Sequence, residues 1–278
     1  MTFKEGLEIW RRHKQLRWSP IHAVNVQRTC ARLGVWFKSV ELSKLGVADF
    51  ERYECDRAQL VGAPSLNRER SVLQSFFKYA RVHGWIARDF DPLATWAKRR
   101  EHVRDEYLQT ITPEEEARLR SVWPEGWPFV VVALYSGLRR GVVAALDWGW
   151  ISVDWVVIVP PQFQKSRRKF RVPLGSKVVE ALAPLRPSPE PARGPVFDPH
   201  ISPGAWTMRL RRAIKKAGIN PKLKLHDLRH TFGTRLANKG VPITKILRLG
   251  DWSTSSVFYR HYLAKLGDDD ARDALEKV

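Results

Sequence analysis

The stretch LKLHDLRHTFGTRLANKGVP, Leu223 to Pro242, places His226, Arg229 and His230 close together. His226 and Arg229 stand at i, i+3 and His226 and His230 at i, i+4, so one helix presents all three on one face. Three readings compete. Two histidines flanking an acid resemble the helix of a zinc hydrolase. An arginine fork beside a histidine suits a phosphate, because guanidinium never deprotonates and matches phosphate oxygens, while imidazole titrates near neutrality. The third reading is an ordinary solvated helix. The metal reading is the weaker of the first two. Asp227 is one methylene shorter than the Glu such a helix needs, Arg229 sets a cation beside the metal, and His261 is the one further candidate ligand.

Other reactive side chains lie far away in sequence. In LYSGLRRGVVAAL, Arg139 follows Gly137 at a break in an apolar segment, where an arginine needs a partner because burying it bare is prohibitive. Arg140 beside it reads as surface. Lys165 falls at the turn between two β-type runs in WVVIVPPQFQKSRRKFRVPL. Near the end, LGDWSTSSVFYRHYLAKL offers Trp252, Tyr259, His261 and Tyr262. Tyrosines at helical spacing more often serve a core than a reaction.

The elements that must position these groups are mostly helices. Ser19-Pro20 is a helix start, with Val24, Leu33, Trp36 and Phe37 following at loosely helical spacing. A second helix covers Val47 to Leu60. A third runs from Ser65 to Gly84 with Leu66, Leu73, Phe76, Phe77 and Ala80 on one face and Arg68, Arg70, Lys78 and Arg81 elsewhere. Thr112-Pro113-Glu114-Glu115 is a capped start, and the charged stretch before it reads as a linker over residues 98–110. The predicted strands are Trp155–Val159 and Lys169–Leu174. Trp206, Leu210 and Ile214 form the inner face of a later helix whose other positions carry Arg209, Arg212 and Lys216. The expectation is a mainly α protein with a small antiparallel β-sheet, an α+β arrangement.

Composition bounds the partner. The 278 residues carry 48 Lys and Arg against 29 Asp and Glu, a formal charge of +19, and such an excess predicts a polyanion. No apolar run approaches the roughly 20 residues of a spanning helix, and the N-terminus has no apolar signal core. Cys30 and Cys55 form no disulfide framework and read as packed thiols in a reducing cytoplasm. Nucleic acid is therefore the expected partner, with no membrane and a cytoplasmic location. The helical domain begins near residue 1, so an added N-terminal domain is expected to be absent.

Taken in order, SGLRRG, the Lys165 turn, HDLRHTFGTRL and LGDW…FYRHYL resemble the tyrosine recombinase (phage integrase) family. The resemblance covers about Thr112 to the end, and more weakly SLNRERSVLQSFFKYARVHGWI. It implies an N-terminal helical core-binding, DNA-binding domain over 1–97 and a mostly helical catalytic domain over 111–278. It also implies Arg139, Lys165, His226, Arg229, Trp252 and Tyr262 as catalytic residues, and a site-specific recombinase that breaks and rejoins DNA for integration, excision or resolution. Tyr262 attacks phosphorus and leaves a 3′-phosphotyrosine. The two arginines clamp the non-bridging oxygens, His226 is the candidate base, Lys165 the general acid, and Trp252 donates its indole N–H. The bond energy is stored in the covalent intermediate, so no cofactor is expected; no Walker loop is present and no carboxylate cluster is spaced for a metal pair. Arg68, Arg70, Lys78, Arg167, Arg168, Arg209, Arg212 and Lys216 are the candidate DNA contacts. The implied partners are double-stranded DNA and three further copies in a homotetramer on DNA, with a monomer or weak oligomer when free.

The sequence departs from the family pattern at three places. Val142 stands where an acid usually supports the histidines, LGD replaces the usual LGH, and the interval from Trp252 to Tyr262 is one residue longer than usual. Asp251 is thus the secondary occupant of the role given to Trp252, and Tyr259 stays open as the nucleophile. Two other classes stay open as well: a catalytically silent DNA-binding protein on the same scaffold, and a zinc-dependent hydrolase using His226 and His230.

Overall fold

Thr2 opens the first helix: its hydroxyl accepts from the Glu5 N–H at 3.2 Å while the Glu5 carboxylate accepts from the Thr2 N–H at 2.9 Å. The computed structural model describes residues 1–38, 40–100, 110–164 and 168–252. The chain divides into two compact units, Met1–Arg104 and Asp105–Val278. The expected fold class is borne out: helices dominate, and the described strands form one two-stranded antiparallel sheet.

The first unit is built from α1 (Phe3–Gln15), α2 (Pro20–Trp36), α3 (Val47–Leu60) and α4 (Ala63–Val82). α2 starts where Ser19 and Pro20 predict, the Ser19 hydroxyl accepting from the His22 N–H. Phe3, Phe37, Phe50, Phe76 and Phe77 are all buried and meet as an aromatic cluster, with ring centroids 4.8 Å apart for Phe3–Phe37 and 5.2 Å for Phe50–Phe77. Leu33 and Phe37 lie in this core as their spacing predicts, but Val24 and Trp36 are exposed. The α2 stripe is thus narrower than its apolar residues suggest. Of the cysteines, Cys30 is buried, its thiol pKa pushed up to about 12 by burial, whereas Cys55 is exposed and not packed.

Beneath the core lies a buried acid. Glu69, 1% exposed, accepts from the Tyr53 hydroxyl at 2.7 Å, Arg32 at 2.9 Å and Arg57 at 3.1 Å. Burial, then the bond to Glu69, pushes the Tyr53 pKa above its ordinary value. Arg99 is held to this unit by paired bonds with the Asn67 amide at 2.9 and 3.0 Å, so the first residues of the expected linker belong to its packing. Residues 101–109, the rest of that stretch but one, lie outside the described residues.

In the second unit Thr112 caps α5 (Pro113–Val122) through reciprocal bonds with Glu115. The middle of the unit is α6 (Trp127–Tyr135), whose Phe129 to Leu134 are buried without interruption; α7 (Arg140–Ala144), α8 (Ser176–Leu182) and α10 (Leu225–Asn238) pack around it. A helix apolar on every side must be enclosed. Strands β1 (Val156–Val159) and β2 (Phe170–Pro173) pair with Val157 opposite Val172. Each is a residue shorter than expected at one end or both. On α9 (Pro203–Lys216), Trp206, Leu210 and Ile214 are buried, and Phe129 stacks on Trp206 at 4.1 Å. α11 (Ile243–Leu249) follows α10. Among the described residues no helix is long and apolar enough to cross a membrane.

Glu69→Gln keeps the volume and removes the charge that holds two arginines and a phenol. The full chain should lose about 2 kcal/mol, the scale of hydrogen bonds to a charged group. A urea titration followed by tryptophan fluorescence measures it.

Candidate active site

Gly137 creates the site. α6 ends at Tyr135, and Gly137 takes a left-handed turn with φ +67°, after which Leu138 returns to the core and Arg139 caps the start of α7. A Cβ on Gly137 would lie 2.6 Å from the ring of Phe232 on α10, so the turn also needs the missing side chain to let α10 approach. That approach brings Arg229 to the Gly137 carbonyl, to which its Nη1 donates at 2.5 Å. Arg229 is 4% exposed. Residues about 90 apart in sequence are thereby fixed against each other, with Arg139 two residues beyond the shared carbonyl.

The other wall comes from the end of α11. Its last turn closes with the Trp252 N–H on the Leu247 carbonyl at 3.0 Å and the Asp251 N–H towards Arg248 at 3.4 Å, the bond pair of a Schellman motif. In that motif the residue after the cap is left-handed, and Asp251 has φ +49°. Glycine usually stands there; a side chain in this region costs on the order of 1 kcal/mol. Asp251 pairs with Arg139: its carboxylate accepts from Nη1 and its carbonyl from Nη2 at 2.6 Å. The Gln164 side-chain oxygen accepts from the same Nη1 at 2.7 Å. Trp252, one residue on, lies against the Arg229 guanidinium, 4.3 Å from ring centre to carbon. A Cβ on Gly250 would fall within the Trp252 ring, so that glycine permits the stacking.

Arg139, Arg229 and Trp252 are therefore brought together, and Asp251 joins them on Arg139. Sequence reasoning gave Asp251 the secondary role and did not single out Gln164. The contact of Gln164 with Arg139 is tertiary, and no local signal in PQFQK singles it out. His226 is exposed on the first turn of α10, with its ring edge-on to buried His230 at 4.7 Å between centroids. Val142, at the position where an acid is usual, is 2% exposed among apolar neighbours, and His230 is the ring that packs on His226. The Asp227 carboxylate accepts from the Lys224 N–H at 2.7 Å, capping the helix rather than facing a metal. Burial raises its pKa and that backbone bond opposes the rise. Among the described residues no three His, Cys, Asp or Glu side chains gather in a way that would hold a metal ion. Lys165, Arg167, Tyr259, His261 and Tyr262 lie outside the described residues.

The candidate DNA contacts separate into kinds. Arg68 and Lys78 are exposed on α4, but Arg70 is half-buried with its Nε on the Trp96 carbonyl, which makes it a brace. Arg68 lines a 450 Å³ groove of the first unit together with Arg28, Arg32, Asn25 and His22. Arg28 and Asn25 were not singled out from the sequence; both belong to the polar face of α2. Arg168 is exposed, and Arg209, Arg212 and Lys216 are exposed along α9, where they share a shallow pocket with Glu125.

A family model described as the phage integrase family matches residues 103–267. The integrase of Salmonella phage P22 is 27% identical over 179 residues, covering 57% of this chain and 44% of that protein, so the chain spans less than half of that relative. A tyrosine recombinase of Thermosipho africanus is 27% identical over 229 residues, 77% of this chain and 76% of its own. Among solved structures, a lambda integrase fragment (75–356), crystallised as a dimer bound to a COC′ core site, superposes with a TM-score of 0.74 over 92% of this chain and 97% of that one. At 17% identity this likeness establishes a shared fold.

Gly137→Ala should destabilise the chain by about 2–4 kcal/mol, combining the left-handed backbone with overpacking against Phe232. Urea denaturation of the full chain measures the loss.

Proposed function

The chain belongs to the phage integrase family, and from that premise we propose that it is a site-specific DNA recombinase that cuts and rejoins duplex DNA through a 3′-phosphotyrosine intermediate. The observation that carries this reading is that Arg139 and Arg229, about 90 residues apart, meet adjacent residues: Arg139 is held by Asp251 and Arg229 lies against Trp252, while Arg229 also bonds the Gly137 carbonyl two residues before Arg139. Two guanidiniums held this way by backbone carbonyls and an indole face are preorganised for the charge on a phosphorus undergoing substitution. Fixed cations need not reorganise as the charge develops, and that is where an enzyme of this type gains rate.

In the proposed reaction the Tyr262 hydroxyl attacks phosphorus, the P–O5′ bond breaks, and the 5′-oxygen leaves with a proton. Tyr262 is the assigned nucleophile and Tyr259 its competitor. A phenol has a pKa of about 10, so attack at neutral pH needs a base or a strongly cationic site. His226, on the same helix as Arg229 and steadied by the His230 ring, is the base in this scheme. Lys165 follows Gln164 directly, and Gln164 touches Arg139; that adjacency supports Lys165 as the acid that protonates the 5′-oxygen. The reverse attack by a 5′-hydroxyl from another strand rejoins DNA with no external energy source. Trp252 is read as packing Arg229 and offering its indole N–H.

Duplex DNA is the proposed partner. The +19 charge, the basic groove of the first unit and the exposed cations of α9 favour an extended polyanion. The domain reading is 1–97 for DNA binding, 98–110 as linker and 111–278 for catalysis. The working assembly is a homotetramer on DNA, formed from monomers or weak oligomers in the cytoplasm. Integration, excision and resolution all remain within this reading.

Incubation with a nicked suicide site should give a covalent protein–DNA adduct on a denaturing gel, lost in Tyr262→Phe and kept in Tyr259→Phe. The reverse pattern moves the nucleophile to Tyr259, and no adduct at all leaves the silent DNA-binding protein. Arg139→Ala and Arg229→Ala should each lower the cleavage rate by about two orders of magnitude or more while DNA affinity in a gel shift falls far less.

A further inference from the structure

The Arg139 fork is already occupied. Nη1 donates to the Gln164 oxygen and to the Asp251 carboxylate, and Nη2 to the Asp251 carbonyl. Three protein oxygens thus surround the guanidinium on which the proposed mechanism places a phosphate. One of them carries a full negative charge, and it does so from a left-handed backbone position that the end of α11 imposes. The pair is not sealed: the Arg139 side chain is 30% exposed and that of Asp251 23%. A partly exposed ion pair is weak enough to be exchanged for a stronger competitor.

Resting on the recombinase reading, we propose that Asp251 is a specificity-determining residue that stands in for the scissile phosphate on Arg139 and must be displaced before the reaction. A carboxylate and a phosphodiester each carry one negative charge and offer similar oxygens, so they compete for the Arg139 Nη1 donor that the Asp251 carboxylate now holds. An isolated phosphate at millimolar concentration gains little by the exchange. A phosphate within DNA held at many other cations arrives at a far higher effective concentration and wins it. Asp251 thereby makes productive occupancy of Arg139 depend on the whole DNA being bound, so that cleavage at loosely held DNA is suppressed. The exchange forms no covalent bond; Asp251 leaves Arg139 as an intact carboxylate and gains solvent. The backbone turn is retained, because the Schellman bonds run through the main chain and not through this side chain.

Asp251→Asn tests the proposal, since asparagine keeps the size and tolerates the left-handed region; Asp251→Gly, which suits the turn with no side chain, is the second variant. With inorganic phosphate as the probe, both variants should show thermal stabilisation at concentrations where the parent shows none, and adding Arg139→Ala to Asp251→Asn should abolish it. With nicked DNA, the concentration giving half-maximal adduct should fall about threefold to fivefold, the factor for opening a partly exposed pair. An unchanged half-maximal concentration with a lower maximal adduct level in both variants would overturn the proposal and make Asp251 a residue that positions Arg139. If no protein gives an adduct, the recombinase reading fails, and the phosphate titration still decides whether Asp251 blocks Arg139: stabilisation equal in parent and variants rejects it.

Discussion

Two arginines are held in place by contacts from distant segments, one buried and one partly exposed, and much of the second unit serves that arrangement. Guanidinium cannot shed its charge, so each must find fixed acceptors or remain in solvent. Arg229 meets the requirement at the Gly137 carbonyl and the Trp252 face. Arg139 meets it at Gln164 and Asp251. These partners come from three separate segments of sequence, at Gly137, at Gln164 and at Asp251–Trp252. The left-handed turn at Gly137, the bare Gly250 under the indole, and the buried α6 that anchors the turn all exist in forms that allow two positive charges to share a hollow. Remove the turn, and Arg139 and the carbonyl that holds Arg229 move together.

This coupling explains why the site was readable at some positions and not at others. Chemistry tied to residue type and local spacing came through: Arg139 needed a partner because of its apolar surroundings, and the HDLRH spacing put Arg229 on a short helix face. Capping signals were equally local. Ser19-Pro20 and Thr112-Pro113 start helices where expected, and Thr2-Phe3-Lys4-Glu5 opens α1 with a capping box like that of Thr112 and Glu115 but without the proline. What the partners are is a matter of tertiary contact. Nothing in the local pattern of PQFQK distinguishes Gln164 as the acceptor for an arginine 25 residues earlier. The burial of apolar residues on α2 is likewise decided by which neighbours arrive, and Val24 and Trp36 find none that enclose them.

Basic residues illustrate the same limit from the other side. A sequence counts Arg68, Arg70 and Lys78 as equivalent charges on one helix. Packing divides them: Arg70 is half-buried with its Nε on the distant Trp96 carbonyl, while Arg68, whose Nε bonds the Pro64 carbonyl of its own helix, is exposed and lines the groove. Likewise Arg32 and Arg57 look like surface cations but neutralise Glu69, an acid almost wholly withdrawn from water. The 48 Lys and Arg are thus an upper bound on the cations offered to a polyanion, and the effective footprint is the subset not engaged by internal acids and carbonyls.

Asp251 shows how a helix terminus can serve electrostatics. A Schellman end fixes the direction of the residue after the cap with main-chain bonds alone. Glycine would make the same turn with no strain, yet an acid stands there and its carboxylate meets the one nearby arginine that is not already sealed by Trp252. The two residues after Gly250 therefore divide the labour: the indole covers Arg229, which is 4% exposed, and the acid meets Arg139, which keeps 30% of its side chain open. An arginine covered by a ring can only be a fixed element of the hollow. An arginine held by an exchangeable anion can change partners, and in the proposed reaction that difference gives the two cations distinct places: Arg229 is set before substrate arrives, and Arg139 responds to it.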